Sequence, residues 1–155
     1  DTGSTKSSGG VAYDESKTIG KNRLRDAIAR DHGRCPDAEI VVLGYSQGAA
    51  VAGDALAEIA ADGSVPPDRI RGVLYADPRD ENGVESQLPG QVAPGITLSG
   101  GRNDFGAIRV ERVCIAGDAV CDAQTPEDSR NWLVEDLAGY LLLHTDYPDY
   151  VDAPR

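Results

Sequence analysis

A serine at position 46 lies in a G-x-S-x-G pattern between an apolar run and an alanine-rich stretch. The pattern spans residues 44–48 (GYSQG) and follows the apolar residues 40–43. Between a strand and a helix, such a pattern places the serine hydroxyl on a sharp, strained turn. The N–H groups and dipole of the helix N-terminus favour negative charge developing beside it. The sequence therefore predicts that Ser46 is a nucleophile; the alternative is a serine in an ordinary turn.

A serine nucleophile needs a base to accept its proton and an acid to orient that base. The chain has two histidines, His32 and His144. In the α/β-hydrolase arrangement the order along the chain is serine, acid, histidine, and His32 precedes Ser46. His144 is therefore the candidate base, although a lone histidine near a helix C-terminus can instead act as a cap.

Two carboxylates follow predicted strands, Asp77 and Asp118. Asp118 lies between Cys114 and Cys121, whose spacing suits a small local disulfide that would hold the carboxylate in a rigid loop. We favour Asp118 as the orienting acid and interpret Asp77 as part of a turn that ends a strand.

The oxyanion of a tetrahedral intermediate needs hydrogen-bond donors. The backbone N–H of Gln47, the residue after the nucleophile, supplies one of them. A second donor is expected from a loop after an earlier strand, and the sequence does not identify it.

The third cysteine, Cys35, has no partner if Cys114 and Cys121 bond to each other. An odd count in a secreted type of chain indicates either that its partner lies in an absent part of the protein or that Cys35 is a buried thiol.

The elements that must position these residues alternate between helix and strand. A strand, a helix and a second strand in this order imply a right-handed parallel unit and an α/β sheet. A helix that ends at Gly33 is predicted to be an ordinary surface helix with Lys17 on its polar side. The predicted elements are a helix over 14–31, a strand over 39–44, a helix from Ser46 to about 62, a strand over 71–76, an irregular excursion over 79–107 with at most one short strand near 96–98, a strand over 108–116, and a helix from 125 to about 143.

Length and charge exclude several classes of function. The 155 residues suit one domain, and the formal charge of −11 would repel phosphates and anionic lipids. Nucleic-acid binding is therefore not expected, and stable membrane insertion is not expected because the chain has no apolar run long enough to span a bilayer. Two separated histidines and cysteines suited to a disulfide leave only carboxylates as metal ligands, so we predict neither a metal site nor a cofactor.

Four segments resemble the cutinase family of serine esterases, and more loosely the serine-hydrolase domain of actinobacterial PE and PPE proteins. They are Cys35-Pro36-Asp37-Ala38, Gly44-Tyr45-Ser46-Gln47-Gly48-Ala49, the block from Cys114 to Cys121 with Gly117-Asp118, and His144 followed by Tyr147.

This resemblance implies an α/β-hydrolase fold, a three-layer α/β/α sandwich around a central parallel sheet. It implies a triad of Ser46, Asp118 and His144, the Gln47 amide as oxyanion donor, and a Cys114–Cys121 disulfide. It also implies a monomeric, cofactor-free serine esterase that is secreted or held in the cell envelope and acts on ester or lipid substrates.

The start of the chain departs from the family pattern. Family members begin with a strand, an oxyanion loop, a helix and a second strand, where this chain has only residues 1–13. We therefore expect one domain over 1–155 that lacks the N-terminal strand and the oxyanion loop. Alternative functions are a cell-envelope acyl esterase or acyltransferase, an acetylxylan esterase, and a non-catalytic module that keeps the fold.

Overall fold

The structure is a computed structural model that describes residues 11–123 and Tyr147. His144 lies outside the described residues. Up to residue 75 the described elements alternate between helix and strand, as the sequence predicts. They are α1 (Tyr13–Arg34), β1 (Ile40–Tyr45), α2 (Gln47–Asp62), β2 (Ile70–Tyr75), α3 (Val84–Gln87), β3 (Gly90–Ala93), β4 (Ile96–Leu98) and β5 (Arg109–Val113).

The main sheet of the described part is parallel and has the strand order β1-β2-β5. Ile40 of β1 pairs with Ile70 of β2, and the register runs without a break to the pair Tyr45 and Tyr75. β5 continues the sheet on the other side of β2, up to the pair Tyr75 and Val113. All three strands therefore end at one edge of the sheet, which is where parallel α/β folds place their ligand sites. The predicted α/β fold with a parallel central sheet is confirmed.

One face of the sheet is covered by α1 and α2. The alanine-rich sequence of α2 allows close packing, and Ala49, Ala52 and Leu56 are at most 1% exposed. Gly72 of β2 leaves room for Leu56, because a Cβ at position 72 would overlap the leucine Cδ1. Burial of these apolar side chains is the main favourable term in folding. The core on this face is completed by Ile28, Val42, Ile59, Val65, Ile70, Leu74, Phe105 and Ile108.

A second cluster lies at the carboxyl end of the sheet. It contains Ala76, Ile115, Cys121 and Tyr147, with Tyr75 and Val113 packed against it. The helix predicted over 125–143 lies outside the described residues, so a second helical layer, as expected in a three-layer sandwich, stays a prediction.

The helix α1 differs from its prediction in two ways. It continues through Gly33 to Arg34, where Cys35 follows with its backbone N–H bonded to the Asp31 carbonyl. Lys17, predicted on a solvated face, is only 7% exposed and pairs with Glu85 at 3.1 Å. The prediction of an ordinary surface helix is wrong at the N-terminal end of α1, because the excursion after β2 folds back over it.

That excursion is also more regular than predicted. Beyond the strand expected near 96–98, it contains α3 and the additional strand β3, which forms an antiparallel hairpin with β4. The hairpin is attached to α1 through Asp14, whose carboxylate accepts bonds from the backbone N–H and the hydroxyl of Thr97, both at 2.8 Å. The prediction of at most one strand is wrong, because residues 90–93 pair with β4 in a local hairpin.

Within the described part of the chain, no helix is long and apolar enough to cross a membrane.

Candidate active site

Ser46 connects β1 to α2 and has a strained backbone. Its φ is 56° and its ψ is −125°, a region that residues other than glycine rarely occupy. The carbonyl oxygen of Ser46 accepts the N–H groups of Ala49 and Ala50 at 2.8 and 3.2 Å, and its own N–H donates to the Tyr75 carbonyl at 3.0 Å. The structure therefore has the predicted strained serine between a strand and a helix N-terminus.

The close approach that this turn requires falls on one of its two glycines. A Cβ at Gly44 would lie 2.6 Å from both the Ala49 Cα and the Gly48 carbonyl oxygen. A Cβ at Gly48 would meet nothing within 4 Å. Gly44 is thus the residue that lets the start of α2 pack against β1.

Gln47 is the first residue of α2. Backbone N–H groups in the first turn of a helix have no acceptor within that helix, so the Gln47 amide is suited to the predicted role of oxyanion donor. The side-chain nitrogen Nε2 of Gln47 is buried and has no hydrogen-bond partner among the described atoms.

Asp118 is fully buried in a tight loop after β5. Its Oδ1 accepts the N–H of Val120 at 3.0 Å, and its backbone N–H donates to the Ile115 carbonyl at 3.0 Å. The loop is closed by the Cys114–Cys121 disulfide, with a Cα–Cα distance of 5.9 Å. The predicted disulfide is confirmed. It joins the chain before Asp118 to the chain after it, and so restrains the loop that carries the carboxylate.

Tyr147 connects this loop to the strands that end near Ser46. Its hydroxyl donates to Asp118 Oδ2 at 2.9 Å. Its ring lies 5.6 Å from the ring of Tyr45 and 6.3 Å from that of Tyr75, measured between centroids. Ser46 follows Tyr45 directly and is bonded to the Tyr75 carbonyl, so one aromatic side chain contacts both parts of the candidate site.

Asp77 has a different environment from the one predicted. It is 1% exposed and pairs with the Arg102 guanidinium at 2.6 Å. Burial raises the pKa of Asp77, and the nearby Arg102 charge opposes that rise. The interpretation of Asp77 as a simple turn residue is therefore incomplete, because its carboxylate is part of a buried ion pair.

Arg102 itself was not identified from the sequence. It bonds to the Ala50 carbonyl at 3.0 Å and to the Asp54 carboxylate, both on α2. Gly53 makes room for it, because a Cβ at that position would overlap the guanidinium. The network attaches the excursion to the first turns of the helix that Ser46 precedes. An arginine in a glycine-rich loop carries no sequence signal of such a partner.

The remaining predictions have different outcomes. Cys35 is a free and exposed cysteine, so of the two alternatives for Cys35 the buried thiol is wrong. No group of three or more potential metal ligands occurs within residues 11–123 and Tyr147. His32 lies at the C-terminal end of α1, at the opposite end of β1 from Ser46.

The parallel sheet and the strained serine between β1 and α2 place this chain in the class of α/β proteins that carry a nucleophile-elbow turn. The sequence model of the Cutinase family matches residues 4–133. The chain therefore belongs to the cutinase family.

Relatives in this family are named as esterases. The chain is 36% identical over 169 residues to a carboxylesterase Culp6 homolog of Corynebacterium glutamicum, a match that covers 90% of this chain and 54% of that protein. It is 43% identical over 54 residues to an acetylxylan esterase of Hypocrea jecorina, covering 35% of this chain and 18% of the relative. The chain thus spans about half the length of the first of these relatives, whereas the match to the second is confined to a short segment of both chains.

Solved structures support the fold. An acetylxylan esterase superimposes with a TM-score of 0.54 at 19% identity, over 86% of this chain and 70% of the other. The catalytic core domain of an acetylxylan esterase from Trichoderma reesei gives a TM-score of 0.50 at 24% identity, over 86% and 68% of the two chains. At sequence identities of 19% and 24%, the likeness supports the fold alone.

Proposed function

We propose that this protein is a serine carboxylic-ester hydrolase that acts through an acyl-enzyme on Ser46. The observation that carries the proposal is the strained backbone of Ser46, with a φ of 56°, at the N-terminus of α2. Strain of this kind persists only where the surrounding structure maintains it, and it is concentrated at active sites. Membership of a family whose relatives are named carboxylesterase, acetylxylan esterase and cutinase supports the same chemistry.

In the proposed reaction, the Ser46 hydroxyl attacks the ester carbonyl carbon while His144 accepts its proton. The tetrahedral oxyanion is stabilised by the N–H of Gln47 and by the N-terminus of α2. The protonated imidazole then donates its proton to the leaving alcohol, which leaves an acyl group on Ser46. A water molecule, activated by His144, releases the acid and restores the serine.

Asp118 is the acid in this proposal. A buried carboxylate opposite an imidazole holds the ring in the required tautomer and stabilises its charged form. Asp118 is fully buried and held by the N–H of Val120 and the hydroxyl of Tyr147. Asp77 is the weaker candidate, because its carboxylate is already paired with Arg102.

The proposed setting is outside the cytoplasm, in secreted form or in the cell envelope. Disulfides persist in oxidising compartments, and the Cys114–Cys121 bond closes the loop that carries Asp118. All three proposed triad residues belong to one chain, so the chemistry needs no second subunit.

The proposal is tested with a fluorophosphonate, which bonds covalently to an activated serine. We expect one label per chain, located on Ser46 by peptide mass spectrometry. Ser46→Ala should lose labelling and lower kcat for a soluble aryl ester by roughly 10³-fold or more. Ser64→Ala, a change at an exposed serine just after α2, is the matched control and should keep both.

The triad assignment makes further demands. Asp118→Asn and His144→Ala should each lower turnover by roughly 10³-fold or more, and Asp77→Asn should have a much smaller effect at the same folded fraction. Ester turnover that survives Ser46→Ala would reject the proposal. A folded protein with neither labelling nor turnover would indicate a non-catalytic module of the same fold.

A panel of esters distinguishes the substrate classes within this chemistry. Acetyl esters of a xylan fragment, short-chain aryl esters and long-chain acylglycerols differ in the pocket depth that they need. Preference for the acetylated sugar would indicate an acetylxylan esterase. Transfer of the acyl group to an added polyol rather than to water would indicate an acyltransferase.

A further inference from the structure

Tyr147 occupies a position at the candidate site that its sequence context did not explain. Its side chain is 3% exposed, and its hydroxyl oxygen lies 2.9 Å from Asp118 Oδ2, 3.0 Å from the Ile115 backbone nitrogen and 3.2 Å from Cys121 Sγ. The phenol is therefore surrounded by the residues of the loop that holds Asp118.

The hydrogen-bonding capacity of these groups determines which way the proton points. A phenol has one proton to donate and can also accept. The Ile115 N–H donates to the Tyr147 oxygen, so the phenol proton is available for Asp118. A disulfide sulfur such as Cys121 Sγ has no proton to offer and is at most a weak acceptor. The carboxylate is the strongest acceptor within reach, and bonds to a charged partner are the stronger ones.

The contact leaves Asp118 able to orient a base. A carboxylate oxygen can accept two hydrogen bonds. In Asp118, Oδ1 accepts the Val120 N–H and Oδ2 accepts the Tyr147 hydroxyl. Each of these bonds by itself leaves its oxygen able to accept another, so the Val120 and Tyr147 contacts are compatible with an imidazole N–H bond to Asp118 in the proposed triad. The Tyr147 bond restricts the rotation of the carboxylate about its own axis.

The ring of Tyr147 relates this carboxylate to the nucleophile. It packs against Tyr45, which precedes Ser46, and against Tyr75, whose carbonyl accepts the Ser46 N–H. The ionisable groups that face Tyr147 from the described elements are thus the phenols of Tyr45 and Tyr75 and the carboxylate of Asp118. Displacement of the ring would move the Asp118 loop relative to the Ser46 turn.

We infer that Tyr147 is a positioning residue that holds the Asp118 carboxylate in the orientation needed for the proposed triad. The inference rests on the proposed function for its catalytic consequence, and on the contacts above for its geometry. Burial raises the pKa of the Tyr147 phenol and the adjacent Asp118 charge adds to that rise, while the Ile115 N–H opposes it. The phenol therefore keeps its proton throughout the neutral range in which a histidine base works.

The test is Tyr147→Phe, which removes the hydroxyl and keeps the ring. We expect kcat to fall roughly 10-fold to 100-fold with little change in KM, because a bond to a charged group is lost and substrate contacts are not. The acid limb of the pH profile of kcat/KM should also move to higher pH. Without the phenol donor, the negative charge of the Asp118 carboxylate is less compensated, so it stabilises the protonated base more strongly.

Tyr13→Phe is the matched control. The Tyr13 hydroxyl also donates to a buried carboxylate, Glu85 Oε1, at 2.5 Å, but on the α1 side of the molecule. It should lower stability without moving kcat or the acid limb. If Tyr147→Phe resembles Tyr13→Phe in both kinetic measurements, Tyr147 has a structural role only and the inference is overturned.

Should Tyr147→Phe fold poorly, 3-fluorotyrosine at position 147 keeps the hydroxyl and makes it a stronger donor. The acid limb should then move to lower pH, and an unchanged limb would overturn the inference. A double-mutant cycle that combines Tyr147→Phe with Asp118→Ala, measured by urea unfolding, tests the contact between the two side chains independently of enzyme activity. Non-additive losses with no turnover in the unmodified protein would reject the proposed function and the positioning role while keeping the hydrogen bond; additive losses would reject the bond itself.

Discussion

Ser46 and Ala76 follow two neighbouring parallel strands, and both have a positive φ, 56° and 50°. Tyr45 and Tyr75, the residues just before them, are paired across β1 and β2. Ala76 is fully buried, and its N–H donates to the Val113 carbonyl on β5 at 2.9 Å. The edge of the sheet where the strands end therefore contains two strained turns side by side, which hydrogen bonds from one strand to the next hold in place.

Gly44→Ala should disrupt the Ser46 turn, because the new Cβ would lie 2.6 Å from backbone atoms of Ala49 and Gly48. Backbone atoms cannot move aside as a flexible side chain can, so we expect a loss of about 1–3 kcal/mol in the free energy of unfolding. Fluorophosphonate labelling of Ser46 should slow in the fraction that remains folded.

Gly48→Ala is the matched control, since a Cβ at position 48 meets nothing within 4 Å. Replacing a helical glycine by alanine favours the helix by about 0.5–1 kcal/mol. Urea unfolding should therefore show a neutral or more stable variant. Equal losses in the Gly44→Ala and Gly48→Ala proteins would contradict the account of this turn.

Arg102→Met should leave Asp77 as a buried carboxylate without its cation. Breaking a buried pair by removing one partner costs about 3–5 kcal/mol. Arg69→Met removes exposed contacts, namely pairs with Asp37 and Asp68 and a bond to the Asp37 carbonyl, and should cost at most about 1 kcal/mol. Urea unfolding of the two variants measures the contrast.

The loss in Arg102→Met should depend on pH. Burial already raises the pKa of Asp77 above its usual range, and removing the arginine raises it further. When a carboxyl has a higher pKa in the folded state than in the unfolded chain, the free energy of unfolding falls as pH rises from the unfolded pKa to the folded pKa. Below the unfolded pKa there is no such loss. The variant should therefore be closer to the wild type at about pH 4 than at about pH 7. A loss of the same size at both values would exclude an ionised Asp77 as its cause.

Reduction of the Cys114–Cys121 disulfide should affect both stability and turnover. The loop that it closes is short, and the loop-entropy relation gives about 2.5 kcal/mol for a separation of seven residues. Because Asp118 lies within that loop, we expect kcat to fall more steeply than the folded fraction when the bond is removed by Cys121→Ser.

Cys35→Ser is the comparison, since Cys35 is exposed and free. It should leave melting temperature and turnover unchanged. Alkylation of the unreduced, unfolded protein followed by intact mass analysis should add one label per chain, and reduction beforehand should raise this to three. Unchanged kcat in Cys121→Ser at an equal folded fraction would separate the disulfide from the function of Asp118.

The sequence by itself determined the local features of this protein. The apolar run before GYSQG and the alanine-rich stretch after it predicted β1, α2 and the strained Ser46 between them, because strand and helix periodicity and turn chemistry act over a few residues. The end of the helix near residue 62 was predicted for the same reason, and Gly63, which follows it, has a left-handed conformation with a φ of 65°. The Cys114–Cys121 pairing also followed from local spacing and the family resemblance.

Only the tertiary structure decided which distant side chains meet. Lys17 and Glu85 are 68 positions apart, Arg102 and Asp77 are 25 apart, and Tyr147 and Asp118 are 29 apart. None of these pairs produces a periodic pattern, because each depends on how the excursion after β2 and the loop after β5 fold against the sheet. The burial of Lys17, the commitment of Asp77 to Arg102 and the contact of Tyr147 with Asp118 are consequences of packing across the chain, where a residue's type indicates what it can bond to but not what it will meet.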